Sequence, residues 1–156
     1  TPELPRTSWD HSESKDEMTG EISVYAYSPT VEPTTKMGFP YQDTNAFLGV
    51  GCNGKREWVC VVFNIAQNLS DTKIEDGYNL IKTRIKWNES VENITLTQKW
   101  GASFIQFDDT ASIISKIINS NSVLLELHWY GQEPTYFKFP LNGASETLKT
   151  IRVPMP

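Results

Sequence analysis

Alternating apolar and polar residues with a period of two form the main pattern along this chain, and such alternation is typical of half-buried strands. Within 80–87, Ile81, Ile85 and Trp87 fall on one face of the predicted strand, and basic residues fall on the other. The segments that show this alternation are 21–28, 80–87, 93–100, 122–130 and 135–141. The pattern predicts a sheet whose strands each bury one face.

The segment 46–63 is the clearest predicted hairpin, because Asn53-Gly54 supplies the residues that a tight β-turn favours. Its second arm, 58–63, is apolar at every position. Such a run is typical of a central strand that is covered on both faces. The pattern therefore predicts that this arm lies in the middle of the sheet.

Helical spacing occurs in two places. Asp108 or Asp109 can cap a helix whose isoleucines share one face, and a second, shorter helix is expected over 144–151. The isoleucines are Ile113, Ile114, Ile117 and Ile118.

About seven or eight short strands, one or two short helices and no strand–helix–strand rhythm predict a mainly β fold. We expect an antiparallel β-sandwich or an open barrel. Residues 1–20 are predicted to form a polar N-terminal arm, anchored where Trp9 or Met18 reaches the core. Residues 21–156 are predicted to form a single β-rich domain.

Composition narrows the classes of function. A chain of 156 residues with 38% hydrophobic residues can bury one core, and 12% aromatic residues favour strands over a helical bundle. The formal charge of −5 argues against non-specific binding to nucleic acid or to an anionic membrane surface, because both need a basic face. No apolar run approaches the roughly 20 residues that a membrane-spanning helix needs.

The candidate catalytic residues lack the arrangement that catalysis requires. His11 belongs to the consecutive run 10–12, and neighbours in sequence do not form a triad. His128 is expected on the outward face of a strand beside Glu126, and the acids at 108–109 fit helix capping better than glycoside chemistry. There is no phosphate-binding glycine loop and no convergent set of metal ligands. We therefore predict a non-catalytic protein with no cofactor and no metal.

Two cysteines, Cys52 and Cys60, lie on opposite arms of the predicted hairpin. A loop of two or four residues would turn them to opposite faces of the sheet, whereas a five-residue loop would put them on one face, diagonally apart. The prediction leans slightly toward a disulfide over two buried thiols, on the condition that the protein is exported.

Lys82, Arg84 and Lys86 form a cationic stripe on one face of a strand, and this stripe is the predicted contact surface. Like charges in a row repel one another unless acids or a ligand lie opposite. One interpretation is a solvated sheet face with Glu or Asp neighbours, and the other is a contact for an anionic group or an acidic partner. Tyr25 and Tyr27 would add aromatic contacts if their strand lies nearby.

Four segments follow the order of motifs in a known group of proteins. They are WDHSESKDEMTG at 9–20, AFLGVGC at 46–52, KTRIKW at 82–87 and YFKFPLNG at 136–143. Together they span nearly all of residues 9–152, and they resemble the type VI secretion-associated accessory proteins of the VasI/TagO type and related prophage-borne lipoproteins. The resemblance implies an exported domain of mixed β character, periplasmic or tethered to the outer membrane, with room for a lipid anchor upstream.

The resemblance implies no catalytic residues. It places Arg84 at the position of the family's strand arginine, which makes Arg84 the natural functional candidate. The chain departs from the family in two respects: Lys86 or Trp87 replaces the aspartate that follows this arginine, and the cysteine expected near the C-terminus is missing. Cys52 therefore lacks its usual partner, and the family's disulfide is not carried over.

The leading hypothesis is a non-catalytic binding or accessory domain of the bacterial cell envelope, associated with a secretion system, whose partner is a protein or an envelope component. The first alternative is a secreted cell-wall hydrolase, which requires a cleft with two separated carboxylates or a histidine near a nucleophile. The second is an inhibitor directed against phages or competitors.

Overall fold

The computed structural model describes residues 9–39, 41–53, 56–65, 69, 72–75, 78–99 and 104–152. This part of the chain forms strands that pair antiparallel throughout, together with two short helices, so the predicted mainly β fold is confirmed. The strands are β1 (Asp10–Lys15), β2 (Ile22–Tyr27), β3 (Ala46–Cys52), β4 (Glu57–Phe63), β5 (Thr72–Glu75), β6 (Tyr78–Trp87), β7 (Ser90–Lys99), β8 (Phe104–Phe107), β9 (Ser122–Leu127) and β10 (Thr135–Pro140). The helices are α1 (Thr110–Asn119) and α2 (Ala144–Arg152).

All strands belong to one open sheet. Its order is β1-β2-β3-β4-β8-β7-β6-β9-β10, and β5 pairs with the first part of β6, which β9 leaves uncovered. Two meanders, β1 to β4 and β6 to β8, join where β4 pairs with β8. The helix α1 then carries the chain from β8 to β9. The sheet is not closed into a barrel, since no ladder joins β1 to β10 in the described ranges.

The two helices pack against the inward face of the sheet, where the core lies. The cap of α1 is Asp109 and not Asp108, because an Asp109 carboxylate oxygen accepts a hydrogen bond from the backbone N of Ser112 at 3.3 Å. Three of the four predicted isoleucines are buried, and Ile118 is 36% exposed. Neither described helix is long and apolar enough to cross a membrane.

Aromatic rings hold the two halves of the sheet together. The ring of Phe63 on β4 lies 5.5 Å from the rings of Trp129 and Phe137, both in edge-on geometry. Phe137 belongs to β10, which is five places away from β4 in the sheet order. The sheet therefore bends around its core so that distant strands meet across it.

Part of the predicted N-terminal arm is a strand, because β1 pairs with β2 along its whole length. Trp9 anchors it: this residue is buried, its indole N–H donates to the carbonyl of Pro140 at 2.8 Å, and its own carbonyl accepts from the Thr147 hydroxyl at 3.4 Å. Met18, the other predicted anchor, is 92% exposed. Four parts of the sequence-based predictions lie outside the described residues, namely 1–8, Gly54, Trp100 and 153–156.

The length of the hairpin loop between β3 and β4 determines which face of the sheet each cysteine occupies. Cys52 is paired with Glu57, so the loop has four residues, 53–56, and it is closed by hydrogen bonds between Asn53 and Arg56. This loop length turns Cys52 into the core and Cys60 to the opposite face of the sheet. The two residues do not form a disulfide, and the predicted bridge is wrong.

Candidate functional site

A groove lies on the outward face of β1 to β4. Its floor is β3, where Gly49 and Gly51 present no side chain. Aromatic side chains surround this floor, and we call the feature the aromatic groove. These side chains are Tyr25, Tyr27, Phe47 and Trp58. The volume of the groove is about 690 Å³, which lies within the range of small-molecule binding sites.

Strand register assembles the groove from residues that are far apart in the chain. Tyr25 is opposite Gly51, which is in turn opposite Trp58, so these three residues form one row across β2, β3 and β4. Tyr27 and Gly49 belong to the next outward row. Because outward residues alternate with core residues along each strand, the aromatic side chains all reach the same face.

The indole ring of Trp58 lies directly against Gly51. A Cβ atom at position 51 would stand 2.4 to 2.6 Å from three atoms of this ring, far inside van der Waals contact. Gly51 is therefore required for the observed position of the ring. Gly49 is different, since a Cβ there would meet its nearest neighbours at 3.8 Å.

The rings contact each other in two pairs. The centroids of Tyr25 and Trp58 are 6.1 Å apart with an interplanar angle of 69°, and those of Tyr27 and Phe47 are 5.9 Å apart at 60°. Both geometries are favourable edge-to-face or tilted arrangements. The pairs leave all four side chains only partly buried, so ring surface faces the groove.

The rim of the groove is polar. Asp10 and Ser12 of β1 and Thr30 after β2 contribute a carboxylate and two hydroxyls. Among the described lining residues Asp10 carries the only formal charge, and none is a lysine, an arginine or a histidine. The groove thus combines an apolar floor with hydrogen-bonding groups at its edge.

The outward side chains of β4 are apolar, and they line the aromatic groove. Trp58, Cys60 and Val62 line the groove and are half-buried, so β4 is covered on one face and not on both as predicted. Burial raises the pKa of the Cys60 thiol to about 11. The apolar run at 58–63 was the signal in the sequence. A strand that is apolar on both faces can be buried on both, or it can be buried on one face and line a binding surface with the other.

The cationic stripe lies elsewhere on the same outward face, and its central residue is paired. Arg84 donates from Nε and Nη2 to the two carboxylate oxygens of Glu126, at 3.0 and 2.6 Å. Glu126 is only 8% exposed, and Tyr136 donates to it as well, at 2.9 Å. The hydrogen bonds from Arg84 are the largest cause that lowers the pKa of Glu126, with burial opposing them.

His128 lies beside the same carboxylate, as the sequence predicted, with its Nε2 atom 3.6 Å from Glu126. The other two members of the stripe are looser: Lys82 is exposed, and Lys86 is 4.0 Å from Glu89, itself almost fully exposed. The arrangement matches a sheet face with acidic neighbours. Glu126 was named as the neighbour of His128 in the sequence but not as the partner of Arg84, because their pairing depends on β6 lying next to β9.

The structure does not bring the two predicted sets of contact residues together. Tyr25 and Tyr27 are on β2, the stripe is on β6, and four strands separate them. The tyrosines instead join Phe47 and Trp58, which sequence reasoning missed. His11 is exposed on β1, and no group of three or more His, Cys, Asp or Glu side chains converges among the residues that the structure describes.

Comparisons with protein-family models, with curated proteins and with solved structures give no match to this chain.

Proposed function

We propose that this chain is a non-catalytic binding and accessory domain of the bacterial cell envelope, and that it holds its ligand in the aromatic groove. The observation that carries the proposal is the groove itself, an open site of about 690 Å³ whose aromatic rings are kept partly exposed on a rigid sheet. Exposed aromatic surface has a hydration cost, so a concentration of it in a concave site favours a binding role.

The envelope location rests on the resemblance to the VasI/TagO type, which spans residues 9–152. The chemistry of the groove agrees with a binding role. A glycoside hydrolase uses two carboxylates that flank the scissile bond, whereas the described lining of the groove contributes one, from Asp10. The cationic stripe is a weaker candidate, because Glu126 already neutralises Arg84.

The test maps where envelope material binds. Peptidoglycan fragments, lipopolysaccharide and soluble periplasmic proteins from a Gram-negative bacterium are added separately to isotope-labelled protein, and the amide resonances that shift are assigned. We expect one fraction to shift resonances on β2, β3 and β4. Tyr25→Ala should abolish these shifts, whereas Tyr130→Ala, which removes a 67% exposed tyrosine outside the groove, should preserve them. Shifts that cluster around Arg84, or that persist in Tyr25→Ala, would contradict the proposal.

A further inference from the structure

We infer that the aromatic groove binds an uncharged oligosaccharide, with a sugar ring stacked on Trp58. The inference rests on the proposed function, because it names the class of ligand for the same site. Four features of the groove lead to this inference: its charge, the fully hydrogen-bonded backbone of its strands, its polar rim and the fixed position of the indole ring.

Charge argues against an anionic ligand. Asp10 supplies the one formal charge in the described lining, and it is negative. A phosphate, a sulfate or a uronic acid would meet this carboxylate, and the described lining offers no cation to offset the repulsion. The basic residues of the cationic stripe are on the far part of the sheet and cannot contribute.

The backbone beneath the groove argues against an extended peptide. Both β2 and β3 are paired on each side, so their N–H and C=O groups are already bonded to neighbouring strands. A peptide lying across them would find no main-chain partners. The outer edge of β1, which pairs with no other described strand, is also a poor place for an added strand, because it carries Asp10, Glu13 and Lys15 within six residues.

A sugar ring has an apolar face and a polar edge, and this distribution of groups matches the aromatic side chains and the polar rim of the groove. Its C–H face is apolar and can lie on an aromatic ring, while its hydroxyls point outward around the edge. Ser12, Thr30 and Asp10 offer hydrogen-bonding groups at the rim, where these hydroxyls would be. A lipid chain could contact the aromatic side chains, but it would leave the polar groups of the rim without partners. Part of the lipid's apolar surface would also stay exposed to water, because the groove is open.

The position of Trp58 supplies the stacking surface. One side of the indole lies against Gly51, which prevents the ring from sinking further into the sheet, and Tyr25 contacts it edge-on. The ring is thereby held in place before a ligand arrives, which lowers the entropic cost of binding. Gly51 is a positioning residue in this scheme, and Trp58 is the residue that contacts the sugar.

The experiment uses the whole chain and four kinds of probe. Chitotetraose, cellotetraose and maltotetraose are uncharged, tetragalacturonate is anionic, deacetylated chitotetraose is cationic, and decaproline is a peptide control. Saturation-transfer NMR and calorimetry are recorded for each. We expect at least one uncharged tetraose to bind, with saturation strongest on its ring C–H protons, and with an affinity that salt does not change.

The variants connect binding to the groove. Trp58→Ala should weaken binding by about tenfold or more, the loss expected when one stacking contact is removed. Tyr25→Ala should also weaken it, which gives a second variant should the first fail to fold, and Tyr130→Ala should not change it. Absence of binding by all three uncharged tetraoses, or binding that survives both groove variants, overturns the inference. Groove binding by decaproline or the cationic probe alone also overturns it, but that result leaves the proposed function standing.

Discussion

Replacing Gly51 by alanine tests the central feature of the groove. A methyl group at this position would lie 2.4 Å from the Trp58 ring, and ordinary contact begins at 3.4 Å, so the ring must move by at least 1 Å. Gly49→Ala is the matched control: it adds the same methyl group to the same face of β3, but its nearest neighbours are at 3.8 Å. Neither glycine has the positive φ that would strain an alanine.

The expected energies follow from these contacts. Gly49→Ala should stabilise the fold by about 0.4–1 kcal/mol, because alanine restricts the unfolded chain. Gly51→Ala gains the same entropy but disrupts the edge-on contact between Trp58 and Tyr25, a kind of contact that contributes about 0.5–1.5 kcal/mol. In Gly51→Ala the added methyl group displaces the partly exposed indole toward solvent and not into the core, so the larger cost of overpacking a closed core does not apply. We expect the two variants to differ by about 1 kcal/mol.

Urea unfolding gives the two free energies, and nuclear Overhauser contacts between Trp58 and Tyr25 report the position of the ring. In the Gly49→Ala variant these contacts should remain, and in Gly51→Ala they should weaken or vanish. Equal stabilities of the two variants, together with unchanged contacts in Gly51→Ala, would refute the role given to this glycine.

Three further predictions concern ionisation, the core and the thiols. Because the pKa of Glu126 is lowered in the folded state, its stabilising effect is present above the ordinary value of 4.5 and is lost as the pH falls below it. Thermal unfolding of Glu126→Gln should therefore depend less on pH between about pH 5 and pH 3 than that of the unmodified protein. In α1, Ile117→Ala should cost about 2–5 kcal/mol by urea unfolding because Ile117 is fully buried, and Ile118→Ala well under half as much; similar losses would contradict the assigned helix face. With a pKa of about 11, the Cys60 thiol should react with iodoacetamide slowly at neutral pH and about tenfold faster for each pH unit up to that value, and a rate that levels off near pH 8 would disprove the burial of the thiol.

The sequence predicted those strands and helices in which burial of one face spaces the apolar residues at a regular interval. The alternation in β6 and the isoleucine face of α1 predicted these elements, because each buries one face against the core. In β1 all six residues are exposed, so its sequence has no apolar face to reveal it, and it is a strand because β2 pairs with it. The short strand β5 also depends on its partner, β6.

The site was harder to predict because it depends on pairing between strands. Tyr25 and Tyr27 were predicted to add aromatic contacts to the cationic stripe if their strand lay nearby, and the structure places them beside Trp58 and Phe47 instead. Which residues face them is decided by the register of β2 with β3 and of β3 with β4, and the period of each strand alone does not specify that register. The cysteines were hard to predict for a similar reason. Their faces depend on the length of the hairpin loop, and a loop of five residues instead of four would have placed Cys52 and Cys60 on the same face.

The hydrogen bond from Trp9 to Pro140 also determines when the groove can be completed. The two residues are 131 positions apart, and Thr147 on α2 donates to the carbonyl of the same tryptophan, so the start of β1 is fixed by segments far along the chain. Contacts of such long range form late and slow the folding rate, whereas the hairpin of β3 and β4 can form early from local contacts. The strand β1, which carries Asp10 and Ser12, can also pair early with β2, so the long-range hydrogen bonds of Trp9 are the later step that fixes the polar rim in place beside the aromatic side chains.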